Sequence, residues 1–377
     1  MSKSHNICLI RQKYRDDGGA ERFVSRALEA LSHQDLNVAI IARQWQTQKD
    51  VQGIKCNPFY LGRTWRDFAF AKCVCQTLKE HSFDLVQSHE RIACCDLYRA
   101  GDGVHREWLK QRSQNISIIS RLVQQFSLYH RYIMSAEKKL FESDQLKAVI
   151  CNAEMVKQEI LGYFSINPDK IHVIYSGVDT QAFNPSLKSH RKVVRQQLNI
   201  AEDACVYLFV GSGFVRKGVE ALLKAFKSQA ETSHLVIVGK DKKQQQFVKM
   251  SEALNVQNRV HFMGAQSDVK PYYGMADVFV LPTIYDPFPN VCLEAMAAGL
   301  PIITSTKCGA AEFVKSGENG YVCDALDDDA LAVHMRSLVE LDVAKQAGLN
   351  AREVIEPYNL EKMSENLVAL YQSLGMK

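Results

Sequence analysis

The sequence predicts an α/β protein made of two doubly wound domains, each with a mostly parallel sheet covered by helices. Short apolar runs bounded by turn residues alternate with segments of helical period along most of the chain, as in parallel sheets covered by helices. At 377 residues the chain is longer than one hydrophobic core usually fills, so two domains are expected. A composition of 46% hydrophobic and 23% charged residues excludes a disordered chain.

The first domain is predicted over residues 1–178. Its strands are the apolar runs NICLIR, NVAIIAR, DLVQSHE, LKAVICN and IHVIYSG. Helical period is found in AERFVSRALEALS and AEMVKQEILGYF, which lie between strands. A polar segment containing Gly177 and Pro185 then interrupts both periodicities, and this places the hinge between the domains there.

The second domain is predicted over residues 179–357. Its strands are ACVYLFVGSG, SHLVIVGK, RVHFMG, DVFVLP and PIITST, and its helices include GVEALLKAFKSQ, QQQFVKMSEALN and NVCLEAMAAG. Open α/β sheets bind ligands at the carboxyl ends of their strands. We therefore expect the functional residues in the loops that follow strands, facing a cleft between the two domains.

The positions of the cysteines and the lengths of the apolar runs indicate where in the cell the protein is located. Eleven cysteines are scattered along the chain. Several lie in apolar runs, among them Cys8, Cys151, Cys205 and Cys292. Thiols in such runs behave as small hydrophobes, and Cys73, Cys75 and the Cys94–Cys95 pair lack zinc-site spacing, so we expect reduced, buried cysteines. The sequence has neither a signal-peptide pattern nor 18 consecutive apolar residues, so a cytoplasmic protein with at most peripheral membrane contact is expected.

A basic stretch lies between Arg106 and Lys139, although the formal charge of +4 is too small to indicate nucleic-acid binding. It holds seven Lys or Arg and two Glu, interleaved with aromatic and aliphatic residues such as Trp108 and Phe126. This combination suits an anionic membrane surface. A solvated helix face with ordinary core packing is the alternative.

Two glycine-containing loops suggest anion binding. Gly18 and Gly19 precede a predicted helix, where backbone N–H groups can approach a ligand; a glycine turn that only fixes helix packing is the alternative. In GSGFVRKG, Arg216 and Lys217 stand just before a helix that starts near Gly218. Backbone donors, a helix N-terminus and two cations at one point predict a phosphate site. Neither loop matches a dinucleotide fingerprint or a P-loop.

The most informative motif is DPFPNVCLE, in which Asp286 and Glu294 are separated by seven residues. Asp286 lies in a loop and Glu294 about one turn into a helix that starts near Asn290. The N–H groups of Asn290 and Val291 would face an anion at the helix start. The two carboxylates could then accept hydrogen bonds from hydroxyls on either side of it.

These motifs resemble the retaining family 4 of glycosyltransferases, which have two Rossmann-like domains in the B-type arrangement. GGAERF, IYSGVDTQAFNP, VGSGFVRKG and EAMAAGLPII carry the resemblance, which covers nearly the whole chain. It is greatest to the enzymes of the lipopolysaccharide core, of the core glucosyltransferase I type. The resemblance implies retaining hexose transfer without a metal ion or other cofactor. It also implies that the last helix, in residues 358–377, crosses back to the first domain.

The resemblance also implies roles for individual residues. Glu294 would bind the ribose, and the backbone of Asn290 and Val291 the diphosphate. Lys217 would neutralise the diphosphate, with Arg216 replacing the Arg that many members have where Ser212 stands here. Asp286 and Phe288, with Pro289, would contact the donor sugar, and Gly18 and Gly19 would border the diphosphate and the acceptor. The acceptor-side candidates are Asp102, His89 and His105.

The resemblance favours a UDP-hexose, with glucose as the best estimate, as donor and a lipopolysaccharide core or related glycolipid as acceptor. Catalysis would then rest on Asp102, Lys217, Asp286 and Glu294. A sugar-nucleotide epimerase of the same fold and a catalytically decayed nucleotide-sugar-binding protein are the alternatives. We expect a protein located peripherally on the inner face of the cytoplasmic membrane.

Overall fold

The computed structural model describes residues 5–13, 36–44, 51–114 and 116–375. The chain forms two compact units, one of Met1–Ser176 with Leu360–Lys377 and the other of Gly177–Asn359. The sequence placed these divisions after residues 178 and 357. Both units are α/β with parallel sheets, as the sequence predicted.

The first unit contains a seven-stranded sheet with the order β3-β2-β1-β4-β5-β6-β7, in which every pair is parallel. The strands are β1 His5–Ile10, β2 Leu36–Ala42, β3 Val51–Lys55, β4 Leu85–Ser88, β5 Leu97–Arg99, β6 Ala148–Cys151 and β7 Ile171–Val173. The strand order changes direction between β1 and β4. The loops after these two strands therefore diverge and leave room for a ligand.

Six helices belong to the described part of the first unit. They are α1 Gly62–Glu80, α2 His105–Gln114, α3 Ile118–Phe126, α4 Leu128–Phe141, α5 Glu154–Tyr163 and, at the end of the chain, α13 Leu360–Ser373. Met363, Leu367 and Tyr371 of α13 pack in one cluster with strand residues such as Ile7 and Leu85. The last helix therefore completes the core of the first unit although it follows the second unit in sequence.

The second unit contains a six-stranded parallel sheet with the order β10-β9-β8-β11-β12-β13. The strands are β8 Val206–Val210, β9 His234–Val238, β10 Val260–Gly264, β11 Val278–Leu281, β12 Ile302–Ser305 and β13 Gly320–Cys323. The helices are α6 Arg191–Gln197, α7 Val219–Phe226, α8 Gln244–Ala253, α9 Lys270–Met275, α10 Asn290–Ala297, α11 Asp328–Ser337 and α12 Leu341–Ile355. Strands β8 and β11 are neighbours where the order changes direction, which predicts a ligand at their carboxyl ends.

The cysteines differ in part from the sequence prediction of reduced, buried thiols. Cys56 is disulfide-bonded to Cys73, and Cys75 to Cys94. Seven others are free and buried, namely Cys8, Cys95, Cys151, Cys205, Cys292, Cys308 and Cys323. The expectation was wrong for the four paired cysteines because α1 lies against the segments that follow β3 and β4, a proximity that the spacing of cysteines in sequence does not reveal.

None of the helices in the described ranges has the length and apolar character needed to cross a membrane.

Candidate functional site

Two loops meet at the carboxyl ends of β8 and β11 in the second unit. The N–H of Ile284 donates to the carbonyl of Arg216 at 2.9 Å, and the Thr283 hydroxyl donates to the same carbonyl at 3.1 Å. Because β8 and β11 are adjacent and parallel, the loops that follow them leave the sheet at the same edge. These hydrogen bonds therefore fix the Arg216–Lys217 pair beside the loop that carries Asp286.

A close approach of the two loops requires glycine at position 218. Gly218 has φ +77° and precedes the first residue of α7. A Cβ atom there would lie 1.9 Å from the carbonyl oxygen of Pro282, much closer than any real contact. Only glycine combines this left-handed backbone with the absence of a side chain. Gly218, the last glycine of the GSGFVRKG motif, thus allows this loop to pack on Pro282, at the end of the strand that leads to Asp286.

An ion cluster of three residues occupies this edge. Lys217 Nζ lies 2.5 Å from Asp286 Oδ2, and Arg216 Nη1 lies 2.9 Å from the same oxygen. Both Lys217 and Asp286 are buried. Burial raises the pKa of the Asp286 carboxyl, but the charges and hydrogen bonds of Lys217 and Arg216 outweigh it and hold that pKa below its ordinary value. Asp286 is thus ionised, and the cluster carries one surplus positive charge.

The N-terminus of α10 lies in the same loop, four residues after Asp286. The helix begins at Asn290, and the side chain of its N-cap residue, Pro289, makes no capping hydrogen bond. The first turn of a helix leaves N–H groups without intrahelical acceptors and carries a partial positive charge. The backbone of Asn290 and Val291 and the nearby cations therefore form a concentrated electropositive site.

Backbone hydrogen bonds hold this loop in place. The N–H of Asp286 donates to the Lys307 carbonyl at 3.0 Å, and the Asp286 carbonyl accepts from the N–H of Gly309 at 3.0 Å. Further along α10, Glu294 Oε2 accepts a hydrogen bond from the Tyr273 hydroxyl at 2.9 Å. Burial and the neighbouring Glu294 raise the pKa of Tyr273, so its hydroxyl keeps the proton that it donates. Tyr273 orients Glu294, a contact that sequence analysis did not anticipate.

The structure thus brings together Arg216, Lys217, Asp286 and the start of α10. Glu294 lies one turn further along that helix, and Ser212 is exposed in the loop after β8. Phe288 and Pro289 are buried, with the Phe288 ring 5.9 Å from that of Phe313, centroid to centroid. Gly18 and Gly19 lie outside the described residues.

A second site lies in the first unit, where residues after β1, β4 and β5 border a cavity of about 580 Å³. Its lining comprises Arg11, Gln12, Lys13, Arg66, Asp67, Phe70, Glu90, Arg91, Ile92, Asp102, Tyr129, Tyr132 and Ile133. Charged groups and tyrosine rings predominate. Carboxylates and guanidinium groups can bind hydroxyls by hydrogen bonds, and aromatic rings offer an apolar face, which together suit a sugar.

Hydrogen bonds and ion pairs organise the lining of this cavity. Arg66 Nε lies 2.7 Å from Asp67 Oδ1, which also accepts a hydrogen bond from the Gln12 amide at 3.0 Å. Arg91 Nε lies 2.8 Å from Glu137 Oε1, and another of its nitrogens lies 3.8 Å from Asp102. Glu137 is buried and holds the guanidinium group of Arg91. Asp102, the other ion-pair partner of Arg91, faces solvent. The side chain of Asp102 is 73% exposed.

The two histidine candidates do not line this cavity. His89 is buried with its Nε2 atom 3.0 Å from the Gln87 amide nitrogen, and burial together with Arg99 and Arg11 lowers its pKa well below the ordinary value. The ring of His105 is within hydrogen-bonding distance of His130 at 3.0 Å. Burial first, then Arg91 and His130, lower the pKa of His105 to about 3. Among the three acceptor-side candidates, only Asp102 reaches the cavity.

Several cavity residues were not singled out from the sequence. Arg66 and Asp67 lie on α1, and Tyr129 and Tyr132 lie on α4, far from any strand end. Their convergence depends on how the two helices pack; the sequence marked the two tyrosines as part of the basic stretch but did not assign them to a ligand site. Arg11, by contrast, directly follows β1, and its position at a strand end could have drawn attention to it.

In the described parts of the chain, no three His, Cys, Asp or Glu side chains are grouped so that they could hold a metal ion.

Comparison with known proteins places the chain in a family. The family model described as Glycosyltransferase Family 4 matches residues 17–182, and the model described as Glycosyl transferases group 1 matches residues 190–354. The chain is 24% identical over 368 residues to the lipopolysaccharide glucosyltransferase WaaG of Escherichia coli K12, covering 95% of this chain and 96% of that protein.

Solved structures agree with the architecture of the two units. The crystal structure of WaaG, described as a glycosyltransferase involved in lipopolysaccharide biosynthesis, matches with a TM-score of 0.82 at 23% identity and covers 98% of this chain and 100% of that one. HepE of Anabaena in complex with UDP-glucose matches with a TM-score of 0.72 at 20% identity, covering 98% of this chain and 99% of that one. The predicted fold class is confirmed: two Rossmann-like units of the B-type glycosyltransferase fold. The chain therefore belongs to the glycosyltransferases, with a family 4 domain in its first half and a group 1 domain in its second.

Proposed function

We propose that the protein is a retaining, metal-independent hexosyltransferase that moves a sugar, most simply glucose from UDP-glucose, to a lipopolysaccharide core or related cell-envelope glycan. The observation that carries the proposal is the cluster of Arg216, Lys217 and Asp286 beside the N-terminus of α10. A nucleoside diphosphate needs such a site. The WaaG and HepE relatives support the choice of sugar and acceptor class by what their names describe.

In the proposed reaction the donor diphosphate lies between the α10 N-terminus and the two cations. Asp286 neutralises part of their charge before the donor binds. When the bond to the sugar breaks, negative charge develops on the departing diphosphate, and prearranged cations and helix N–H groups stabilise it without reorganisation. The acceptor hydroxyl attacks on the same face and gives its proton to a phosphate oxygen. Lys217, which is buried beside the site, contributes most because its charge is little screened by water.

Glu294 is proposed to bind the ribose of the donor. Its carboxylate is held by the Tyr273 hydroxyl at 2.9 Å and is therefore oriented before the donor arrives. A carboxylate can accept hydrogen bonds from both ribose hydroxyls at once. Asp286 and the backbone around Phe288 are proposed to contact the sugar.

The acceptor is proposed to bind the cavity of the first unit. Asp102 and Glu90 offer carboxylate oxygens to acceptor hydroxyls, and Tyr129 and Tyr132 offer rings to the sugar face. Burial, ahead of all other effects, raises the pKa of Glu90 and so brings it closer to the range of a group that exchanges protons near neutral pH. A sugar-nucleotide epimerase would have no use for this second cavity, which therefore favours a transferase.

The basic stretch between Arg106 and Lys139 is proposed to bind an anionic membrane at its cytoplasmic face. Both of its glutamates, Glu107 and Glu137, are buried, whereas all seven of its cations are exposed. The surface of the stretch is therefore purely cationic. Helix α3, which lies in the middle of this stretch, has no buried residue. The side chains of Ile119 and Phe126 are 74% and 76% exposed. The alternative, a solvated helix face with ordinary core packing, does not account for a helix with so many exposed apolar side chains, whereas an amphipathic helix on a membrane does.

A thermal-shift panel with UDP, GDP, ADP, NAD and their hexose conjugates tests the proposal. A ligand at 100 times its dissociation constant stabilises the folded protein by about 2.7 kcal/mol, a shift of several degrees. Glu294→Ala should abolish the shift for the one nucleotide that binds. Glu252→Ala, an exposed glutamate on α8, is the matched control and should retain it.

No shift with any nucleotide, in a protein that melts cooperatively, would refute the donor site. Stereochemistry and metal dependence need a separate assay on the product. We expect NMR of the anomeric proton to show retention, and we expect the rate to be unaffected by EDTA. A product of inverted configuration would remove the retaining mechanism, and a rate that EDTA abolishes would remove metal independence.

A further inference from the structure

We propose that the segment Phe59–Phe68, which leads from β3 into the first turns of α1, is a second membrane-binding element, and that the cavity of the first unit opens onto an anionic bilayer between this segment and α3. The proposal rests on the transferase function above and deepens it. The acceptor would be an amphiphile whose polar part enters the cavity while its lipid part stays in the membrane.

The first observation is a cluster of exposed apolar side chains. In this segment Phe59 is 72% exposed, Leu61 68%, Phe68 53% and Trp65 46%. Soluble proteins rarely display so many large apolar side chains together unless the patch binds something. Trp and Tyr prefer the boundary between water and lipid, and Trp65 and Tyr60 are both exposed here.

The second observation is that the segment is held in shape. The buried guanidinium of Arg43 donates to the carbonyl of Pro58 at 3.1 Å and to that of Arg66 at 2.5 Å, near the two ends of the segment. The disulfide between Cys56 and Cys73 encloses the whole segment. The backbone that carries the aromatic side chains is therefore held in one conformation before the segment binds a membrane.

The third observation places the segment at the cavity. Helix α1 contributes Arg66, Asp67 and Phe70 to the lining, directly beside the exposed Trp65 and Phe68. Exposed apolar side chains therefore border the cavity along α1.

The second helix that lines the cavity follows the same arrangement. Helix α4 contributes Tyr129 and Tyr132, and its first residue, Leu128, is exposed next to α3. Ring contacts join the two helices, with Arg63 5.0 Å above the Tyr129 ring and the Phe68 ring 6.3 Å from that of Tyr132, centroid to centroid. Exposed apolar side chains thus flank the cavity on both of the helices that line it.

The charge around these side chains favours an anionic bilayer over a neutral apolar partner. Arg63 is exposed within the segment, and Arg121 and Arg131 are exposed on α3 and α4. Cations near an anionic membrane surface each add to the attraction, and apolar side chains between them enter the interface. The same arrangement would leave the cavity at the depth of the lipid head groups.

The test uses the full-length protein and vesicles of phosphatidylcholine with or without phosphatidylglycerol. Phe59→Ser combined with Leu61→Ser should lower the affinity for the anionic vesicles at least tenfold, on the order expected for withdrawing two large apolar side chains from lipid. Leu349→Ser combined with Val343→Ser removes two exposed apolar side chains from α12 of the second unit and should leave binding unchanged. Equal binding of the segment variant and the wild type would overturn the proposal.

A second measurement leaves every side chain of the Phe59–Phe68 segment in place. In a protein carrying Trp45→Phe and Trp108→Phe, Trp65 is the one remaining tryptophan, and brominated lipids in anionic vesicles should quench its fluorescence; fluorescence that brominated lipids leave unchanged would refute the orientation. Failure of the transferase function has a different signature. In that case no nucleotide would shift the melting temperature, while the segment variant would still lose vesicle binding. Normal nucleotide shifts with unaltered vesicle binding would reject the membrane element alone.

Discussion

Replacement of Lys217 tests the electrostatic account of the donor site most directly. Lys217→Met keeps the length of the side chain and removes its charge. In the wild type, Nζ lies 2.5 Å from Asp286, and both residues are buried. Removing one partner of a buried ion pair costs about 3–5 kcal/mol. Because Arg216 remains 2.9 Å from the same oxygen, we expect about 3 kcal/mol, the lower end of that range.

The expected effect on catalysis is larger than the effect on donor binding. A preorganised donor that stabilises charge in the transition state contributes on the order of 100- to 1,000-fold to kcat. We therefore expect Lys217→Met to lower kcat by about that factor, with a much smaller change in the KM for the donor sugar nucleotide. The assay is release of the nucleoside diphosphate during transfer, combined with chemical denaturation to measure stability.

Two further variants make the comparison sharp. Lys224→Met removes an exposed cation of α7 that pairs with Glu220 at 3.0 Å, and a surface pair of this kind contributes less than about 1 kcal/mol. It should keep normal kcat. Asp286→Asn removes the carboxylate that competes with the diphosphate for Lys217 and Arg216. It should lower stability but tighten the binding of the nucleoside diphosphate, while transfer falls because the proposed sugar contact is lost.

Either of two results would refute this reasoning. An unchanged kcat in Lys217→Met, in a protein that melts cooperatively, would mean that Lys217 serves only the ion pair. Weaker binding of the diphosphate to Asp286→Asn would mean that Asp286 organises the cations and does not compete for them.

Three other predictions concern the fold. Burial and neighbouring cations lower the pKa of His105 to about 3 and that of His234 to about 4, so both side chains are neutral in the folded protein. Because the pKa of a histidine in the unfolded chain is about 6.5, the free energy of unfolding should be highest above pH 6.5 and fall as the pH is lowered towards 4. Urea denaturation at each pH would show this fall, and a flat profile would contradict it. Denatured protein without reductant should show seven reactive thiols and with reductant eleven, and reduction should lower stability by about 3 kcal/mol per disulfide; eleven thiols without reductant would contradict both pairs. Deletion of α13 should unfold the first unit because Leu367 and Tyr371 lie in its core, and a truncated protein that melts like the full chain would disprove that packing.

Much of the fold could be predicted because most of its strands lie in clearly apolar runs of the sequence. The strands at Ile7, Val206 and Val278 lie in such runs, and burial on both faces of a parallel sheet favours them. Strands β3, β5 and β13 were not predicted. β3 contains Gln52 and Lys55, β5 ends in Arg99, and β13 begins with Gly320, so hydrogen bonding to a neighbour, and not local hydrophobicity, makes them strands.

The sequence by itself determined the local parts of the site. The spacing of Asp286 and Glu294 around a helix start, and the two cations before Gly218, can be recognised without a structure, because each motif lies within a few consecutive residues. Only the tertiary structure decided that Lys217 and Asp286, 69 residues apart, form one ion cluster. That pairing follows from β8 and β11 lying side by side, which strand patterns do not specify.

The same distinction holds for the surface of the first unit. The sequence showed a basic stretch with two glutamates, and only the folded chain buries Glu107 and Glu137 and leaves every cation outside. The tertiary structure also decided that Cys56 forms a disulfide with Cys73 and that His89 is buried. It decided as well that residues of α1 and α4 line one cavity. Periodicity determines which face of an element is apolar. Which elements meet, and which polar groups are buried where they meet, depends on packing between residues distant in the chain.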